Sequence, residues 1–351
     1  MKNSFDIVIV GSGPSGTMFA YELNRLCPDY NILLINGQNE NNKKVCGGLL
    51  APDAQKVFAE MDLTLPKSVL ADPQIFAVET IDLCSKKHRI YQRHYLNMDR
   101  FAFDSFLLNR IPDSVTIING RCIDIKNCGE EFILIVRTNT VVTEISAKYL
   151  IGADGASSIV RRKIFKKLPY QYVSIQKWYK SCEDLPSYSC IFDTETSDSC
   201  SWTIRKDGCA VFGGAFKKQG SNEAFEIQKT RLENYLGKNF GEPFKTEACL
   251  ISSPRHFGDL ITGKDNVFLV GEAAGFISSS SFEGISYALL SGKILAACFK
   301  DGRKAKKIQS LYKKRSLYMR LKLVSKMYKR AILCSSFFRR IIMESGIKSI
   351  K

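Results

Sequence analysis

The stretch Phe5–Gly16, FDIVIVGSGPSG, decides the fold. Phe5–Val10 is a short apolar run rich in β-branched residues, the composition of a strand buried on both faces of a parallel sheet. Gly11, Gly13 and Gly16 follow in the spacing GxGxxG, with Pro14 and Ser15 between the last two. Thr17–Leu26 then has helical spacing, with Met18, Phe19, Leu23 and Leu26 at apolar positions, and Cys27-Pro28-Asp29 ends it. Asn31–Ile35 is a second strand. A glycine turn between strand and helix predicts a dinucleotide site. Gly11 permits the tight turn, Gly13 leaves room for a pyrophosphate, and Gly16 lets helix and strand pack closely. The helix N-terminus presents free N–H groups to the phosphates. The acid expected about 20 residues after the last glycine is replaced by Asn36. Its amide oxygen can accept from a ribose hydroxyl, and it lacks the charge that repels a 2′-phosphate.

Outward from this unit the middle of the chain is β-rich. Val115–Ile118, Cys122–Ile125, Phe132–Arg137, Val141–Ser146 and Lys148–Ile151 are predicted strands, the last leading into Gly152-Ala153-Asp154-Gly155. A second β-rich stretch runs from Val173 to Gly214, with Gly208 turning Ser201–Ile204 back onto Ala210–Phe212. Glu223–Leu236 is a predicted helix, Asn266–Val270 a buried strand, and Gly284–Phe299 a helix. The pattern after Lys304 is helical. The alternation divides the chain into a nucleotide domain from residues 1–50, 97–160 and 263–300, a substrate domain from 51–96 and 161–262, and a tail over 301–351.

Charge is concentrated in that tail. Residues 300–351 hold 17 Lys/Arg and two acids, so they carry +15 of the net +16, while residues 1–299 hold 34 Lys/Arg against 33 acids. A basic pI over a neutral body is no argument for nucleic-acid binding, and no recognition motif accompanies the charge. Leu311, Tyr312, Leu317, Tyr318, Leu321, Leu323 and Val324 are interleaved with Lys313, Lys314, Arg315, Arg320 and Lys322. This basic amphipathic pattern fits an anionic membrane surface. A helix capping the substrate domain, or a surface for an acidic protein donor, are the alternatives. No run reaches the ~18–20 apolar residues of a membrane span. The N-terminus enters a strand directly, which predicts a cytoplasmic protein, peripheral on the inner face of the membrane if the tail binds it. The 12 cysteines contain no CxxC, so zinc-ribbon, iron–sulfur and redox-pair spacings are missing and no metal is expected. They are expected to be reduced thiols, mostly small buried hydrophobes.

Three further segments carry chemistry: MDRFAFDSFLL with Arg100 and Asp104, LIGADGASSIVRR with Asp154 and Gly155, and VFLVGEAAGFISSSSFEGISYAL with Gly271 and Glu272. With the glycine turn they resemble, in order and over roughly residues 5–300, the FAD family of aromatic hydroxylases, flavin halogenases and geranylgeranyl reductases. The resemblance implies an α/β protein: a Rossmann-like FAD-binding domain with an inserted β-rich substrate domain and a C-terminal helical tail. It implies FAD as cofactor. Arg100 would contact the pyrophosphate region, Asp154 and Gly155 would lie by the cofactor and its entry path, and Glu272, in place of the family's usual aspartate, would bond the ribitol. Gly284 and Ile285 would bring backbone N–H groups to the flavin pyrimidine edge, where a helix N-terminus stabilises the anionic reduced ring.

Within that family the geranylgeranyl-reductase branch fits best. Gly275 stands where aromatic hydroxylases commonly carry histidine. Val45–Leu50, VCGGLL, resembles the Cys-Gly segment that prenyl reductases place by the flavin, which makes Cys46 the candidate thiol near the site; the alternative is a packed thiol in a glycine turn. Cys200–Gly214 resembles their flavin-facing hairpin, although only Trp202 matches well; Trp202 is either cavity wall or core. With a single GxGxxG there is no second dinucleotide domain, so NAD(P)H or a protein electron donor is expected to dock transiently. Of His88, His94 and His256, His94 is expected nearest a pocket, and Tyr91 and Tyr95 are further proton-donor candidates. The expected activity is reduction of C=C bonds in an isoprenoid or other apolar small molecule or lipid. A flavin monooxygenase or halogenase, and a non-catalytic FAD-bound membrane accessory protein, are the alternatives.

Overall fold

The computed structural model describes residues 3–37, 44–139, 141–180 and 185–344. Cys182 and the end of the tail, 345–351, lie outside them. The chain opens with strand β1 (Ser4–Val10), helix α1 (Pro14–Leu26) and strand β2 (Ile32–Asn36). It crosses to a second layer through β3 (Leu49–Leu50), α2 (Pro52–Glu60) and the hairpin β4 (Ile75–Asp82)–β5 (Lys87–Asn97). Helix α3 (Arg100–Leu108) returns it to the first layer for β6 (Thr116–Asn119), β7 (Arg121–Asn127), β8 (Phe132–Arg137) and β9 (Val142–Gly152). After α4 (Ile159–Phe165) the second layer receives β10 (Gln171–Lys180), β11 (Tyr188–Phe192), β12 (Cys200–Lys206), β13 (Cys209–Phe216), α5 (Ser221–Leu236) and β14 (Lys245–Ser252). The chain re-enters the first layer with β15 (Gly263–Lys264) and β16 (Val267–Leu269). It ends in α6 (Ile285–Asp301), α7 (Ala305–Arg315), α8 (Leu317–Cys334) and α9 (Ser336–Glu344).

The first sheet has the order β15-β16-β9-β1-β2-β6, with β8 bridging β9 to β7. β1 lies parallel to β2 and β9, and β9 parallel to β16. Ile7, Val8, Ile9, Leu33, Leu34 and Leu150 are fully buried here, each stabilising the fold by ~1.5–3 kcal/mol. The second sheet has the order β14-β10-β13-β12-β11-β4-β5-β3. All its pairs are antiparallel except β11 with β4.

Three expectations are corrected. The first helix begins at Pro14, not Thr17, because proline suits the first helical position. The strands expected at Val141–Ser146 and Lys148–Ile151 are one strand, β9, carried through buried Ala147 by pairing with Phe5 on one side and Phe132 on the other. Of the 11 described cysteines, all free, only Cys122, Cys200 and Cys298 are buried; Cys84 and Cys128 are exposed and the rest half-buried.

The tail is folded onto the body. Tyr312 is buried and donates to Leu269 O at 3.1 Å. Arg330 bonds Asp198 at 2.8 Å and the Tyr172 hydroxyl at 2.6 Å. Arg339, buried, pairs with buried Asp82 at 2.9 Å and lies over the Phe192 ring. Arg320, one of the cations of the basic amphipathic pattern, is buried and donates to Lys313 O at 2.7 Å, whereas Leu317, Tyr318 and Leu321 are exposed. Among the described residues no helix is long and apolar enough to cross a membrane.

Candidate functional site

The separated motifs meet at the carboxyl ends of β1, β9 and β16, where an open α/β sheet binds ligands. Gly11 has φ +106°, and a Cβ there would lie 2.5 Å from Ala153 O. That absence of a side chain lets the glycine turn rest on the β9 turn. Gly271, φ +57°, abuts Ser15: its added Cβ would be 2.6 Å from the Ser15 hydroxyl. Gly292 brings α6 against the Ser15 carbonyl in the same way. Gly13 differs, since nothing lies within 4 Å of a Cβ built on it. No side chain caps α1 at Gly13. The turn therefore presents open space and uncapped helix N–H groups, the requirements of a pyrophosphate cradle.

Asn36 sits at the end of β2, its oxygen accepting from the Ser12 hydroxyl and its amide donating to Asn119 at 2.8 Å. Asp154 caps a helix: it accepts from Ser158 Oγ at 2.5 Å, Ile159 N at 2.6 Å and Val160 N at 3.2 Å, at the start of α4. Burial raises its pKa against the pull of these donors. Glu272 accepts from Lys44 Nζ at 2.6 Å and from Ser252 N at 2.8 Å. Both Lys44 and Glu272 lie about 4 Å from the space over Gly155. Burial works against the Lys44 charge, but Glu272 outweighs it and raises the pKa. Gly284 is the N-cap of α6 and Ile285 its first residue; Ser286 N donates to Glu283 at 2.9 Å.

The segment 44–50 runs between the two sheets, and Cys46 is half-buried within it. Arg100, at the start of α3, donates to Asp104 at 2.8 Å and lies near Cys46, whose sulfur accepts from Gly48 N at 3.4 Å. Although its burial opposes the charge, Asp104 and then Cys46 hold it above its usual range. From the second sheet, buried Lys206 donates to Gly47 O at 2.9 Å and Met98 O at 2.7 Å, which joins the Cys46 loop to the strand leading into Arg100. Burial lowers the Lys206 pKa to about 8. Trp202 lies against Gly213, where a Cβ would sit 2.6 Å from its Nε1, and against Gly47. Its indole N–H is buried without a partner among the described residues, beside this junction.

Lys44, Lys206 and Cys249 escaped sequence reasoning. Cys249, which burial raises to about 11, lies near both Lys44 and Cys46. Only Lys44, two residues before Cys46, had a signal in its position. His94 corrects the expectation made for it: it is exposed on the outer face of β5, against Gln92 and Phe76, while Tyr91 and Tyr95 take the inner face. A shallow cleft lined by Asn3, Asp6, Asn31 and Lys148 lies at the opposite end of the first sheet.

The family of FAD binding domains matches residues 129–297. Solved structures share the fold across nearly the whole chain. A geranylgeranyl bacteriochlorophyll reductase-like protein of Thermoplasma acidophilum superposes with a TM-score of 0.83 at 16% identity, covering 100% of this chain and 93% of that one. PqsL of Pseudomonas aeruginosa, a probable FAD-dependent monooxygenase, gives 0.70 at 16%, covering 98% and 99%. The flavin-dependent brominase Bmp2 gives 0.66 at 17%, covering 97% and 92%. The fold and the assembled site thus define a FAD-dependent flavoprotein of oxidoreductase type. The chain belongs to the family of the CbrA proteins. It is 40% identical to Protein CbrA of Escherichia coli O9:H4 (strain HS), over 99% of this chain and 94% of that protein. It is also 40% identical to Protein CbrA of Shigella dysenteriae serotype 1, over 99% and 98%.

Proposed function

We propose that this flavoprotein reduces carbon–carbon double bonds in an isoprenoid or another apolar substrate. One observation carries the reading: the Cys46 thiol stands near Arg100, in a loop pinned by Lys206, where the two sheets meet. FAD held at the glycine turn would supply, once reduced by the docking donor, the hydride for one carbon of the double bond. The protein must then exclude water and protonate the other carbon. Cys46, beside Arg100 and near Lys206, is the proton donor this geometry offers. Trp202 and the edge-to-face pair Tyr95–Tyr188, 5.7 Å between centroids, supply aromatic wall for an apolar chain. Gly275, at φ +80° with a Cβ position 2.5 Å from Asp259 O, has no room for the hydroxylase histidine. The reductase-like character of the Thermoplasma neighbour agrees with this reading. Reducing equivalents come from NAD(P)H or a protein donor that docks transiently.

The test is product analysis. Protein supplied with dithionite and a geranylgeranyl lipid yields products heavier in steps of two hydrogens, and Cys46→Ala lowers the rate at least ~100-fold, in the range of a lost general acid. Unchanged lipid, with an aromatic substrate gaining oxygen in air, contradicts it.

The outer faces of α8 and α9 support an anionic membrane as partner. Tyr318 (80% exposed), Tyr328 (71%) and Phe337 (66%) stand among lysines and arginines, an apolar and cationic mixture suited to the headgroup region. Cosedimentation with phosphatidylglycerol vesicles, lost in Phe337→Ser/Phe338→Ser, is the expected result; equal sedimentation of both proteins contradicts it.

A further inference from the structure

We infer that Lys44 is a cofactor-binding residue: its ammonium cancels the charge of Glu272 and so makes that carboxylate compatible with the FAD diphosphate. The inference goes beyond the reaction proposed above and holds for any reaction the flavin performs.

Glycine geometry brings Glu272 to the pyrophosphate cradle. Gly271 abuts the first turn of α1, with an added Cβ 2.6 Å from the Ser15 hydroxyl, and Glu272 is the next residue. The Glu272 side chain is 12% exposed, so water and salt screen its charge little. A lone carboxylate there would oppose a ligand that brings two phosphate charges. It is not alone. Lys44 Nζ stands 2.6 Å from one carboxylate oxygen, and Ser252 N donates to the other at 2.8 Å. Among the described residues Lys44 is the one cation bonded to Glu272. The second sheet holds both members of the pair. The Cys249 thiol of β14 donates to Val45 O at 3.8 Å, beside Lys44, and Ser252 ends the same strand.

The pair also borders open space. A Cβ on Gly155, φ +72°, would lie 3.8 Å from Lys44 Nζ and 4.0 Å from Glu272 Oε2, and nothing else lies within 4 Å. Gly155 follows the β9 turn on which Gly11 rests, so this space adjoins the glycine turn. An ammonium has three N–H groups, and Glu272 takes one of them. The Ser252 hydroxyl is fully buried and has no partner among the described residues. Spare donors therefore gather beside Glu272, which suits a ligand rich in acceptor oxygens, as the diphosphate and ribitol of FAD are.

The test is a double-mutant cycle on the full chain, freed of flavin and titrated with FAD by fluorescence. Lys44→Met is expected to weaken FAD binding at least ~10-fold, because it leaves Glu272 as a lone charge at the cradle. In the Glu272→Gln background the same substitution is expected to change affinity by less than ~3-fold. Raising salt from about 50 mM to about 500 mM is expected to narrow the gap between wild type and Lys44→Met, which the loss of a packing contact would not do. Equal affinity of wild type and Lys44→Met overturns the inference. So does an equal cost of Lys44→Met in the two backgrounds, or a gap that salt leaves unchanged. Circular dichroism of the flavin-free chains shows whether each variant folds. If Lys44→Met does not, Lys44→Met/Glu272→Gln carries no lone carboxylate and is compared with Glu272→Gln. A loss of ~10-fold or more between those two overturns the inference, and a difference under ~3-fold supports it.

Discussion

Gly13 and Gly11 differ by two positions and by opposite physical needs. Gly13 has ordinary extended backbone and empty space around its missing side chain. Gly13→Ala should change stability by less than ~0.5 kcal/mol while reducing copurified FAD, read from flavin absorbance. Gly11→Ala forces a side chain into positive φ and onto Ala153 O, and should lose roughly 1–3 kcal/mol as well as the flavin. Both roles were legible from GxGxxG. Lys206 was not, because a lysine before an Asp-Gly turn has the appearance of a solvated residue. Its partners, Gly47 O and Met98 O, are far away in sequence. Its folded pKa, about 8, lies below the ordinary 10.5. The unfolded chain therefore holds the proton that the folded chain releases, and stability rises with pH between the two values. Denaturant midpoints should move in favour of wild type over Lys206→Met between about pH 7 and about pH 9.5; a constant difference contradicts the burial argument.

Helix and strand periodicity predicted most of the elements flanking the glycine turn and the hairpin β12–β13, whose Asp207-Gly208 turn is local. It left out the hairpin β4–β5 and helix α3, and it split β9. These depend on partners distant in sequence, as when β4 pairs with β11. The tail shows the same limit. Its helices were legible, but which face turns inward was not, because Arg339 is held by Asp82, 257 positions earlier. Arg339→Met leaves that buried carboxylate unpaired and should destabilise by roughly 3–5 kcal/mol. Arg339→Met with Asp82→Asn should recover part of this in thermal melts, and equal melting of single and double variants contradicts a direct coupling.

For the whole molecule, the chain passes between two sheets four times, and each passage brings a motif to the junction. Gly11–Gly16 and Arg100 follow strands of different sheets, and the Cys46 loop is itself one of the crossings. The cofactor class was legible because its motifs are backbone devices with fixed spacing. The chemistry at the junction was less so, because Lys44, Lys206 and Cys249 acquire meaning only when the second sheet closes over the first. The central claim is that this junction transfers a hydride to an apolar double bond. Its most direct test is to reduce the FAD-loaded protein anaerobically and follow flavin absorbance after adding a geranylgeranyl lipid, and separately oxygen. Reoxidation by the lipid without oxygen is the predicted result; reoxidation by oxygen alone, with the lipid inert, would contradict the account.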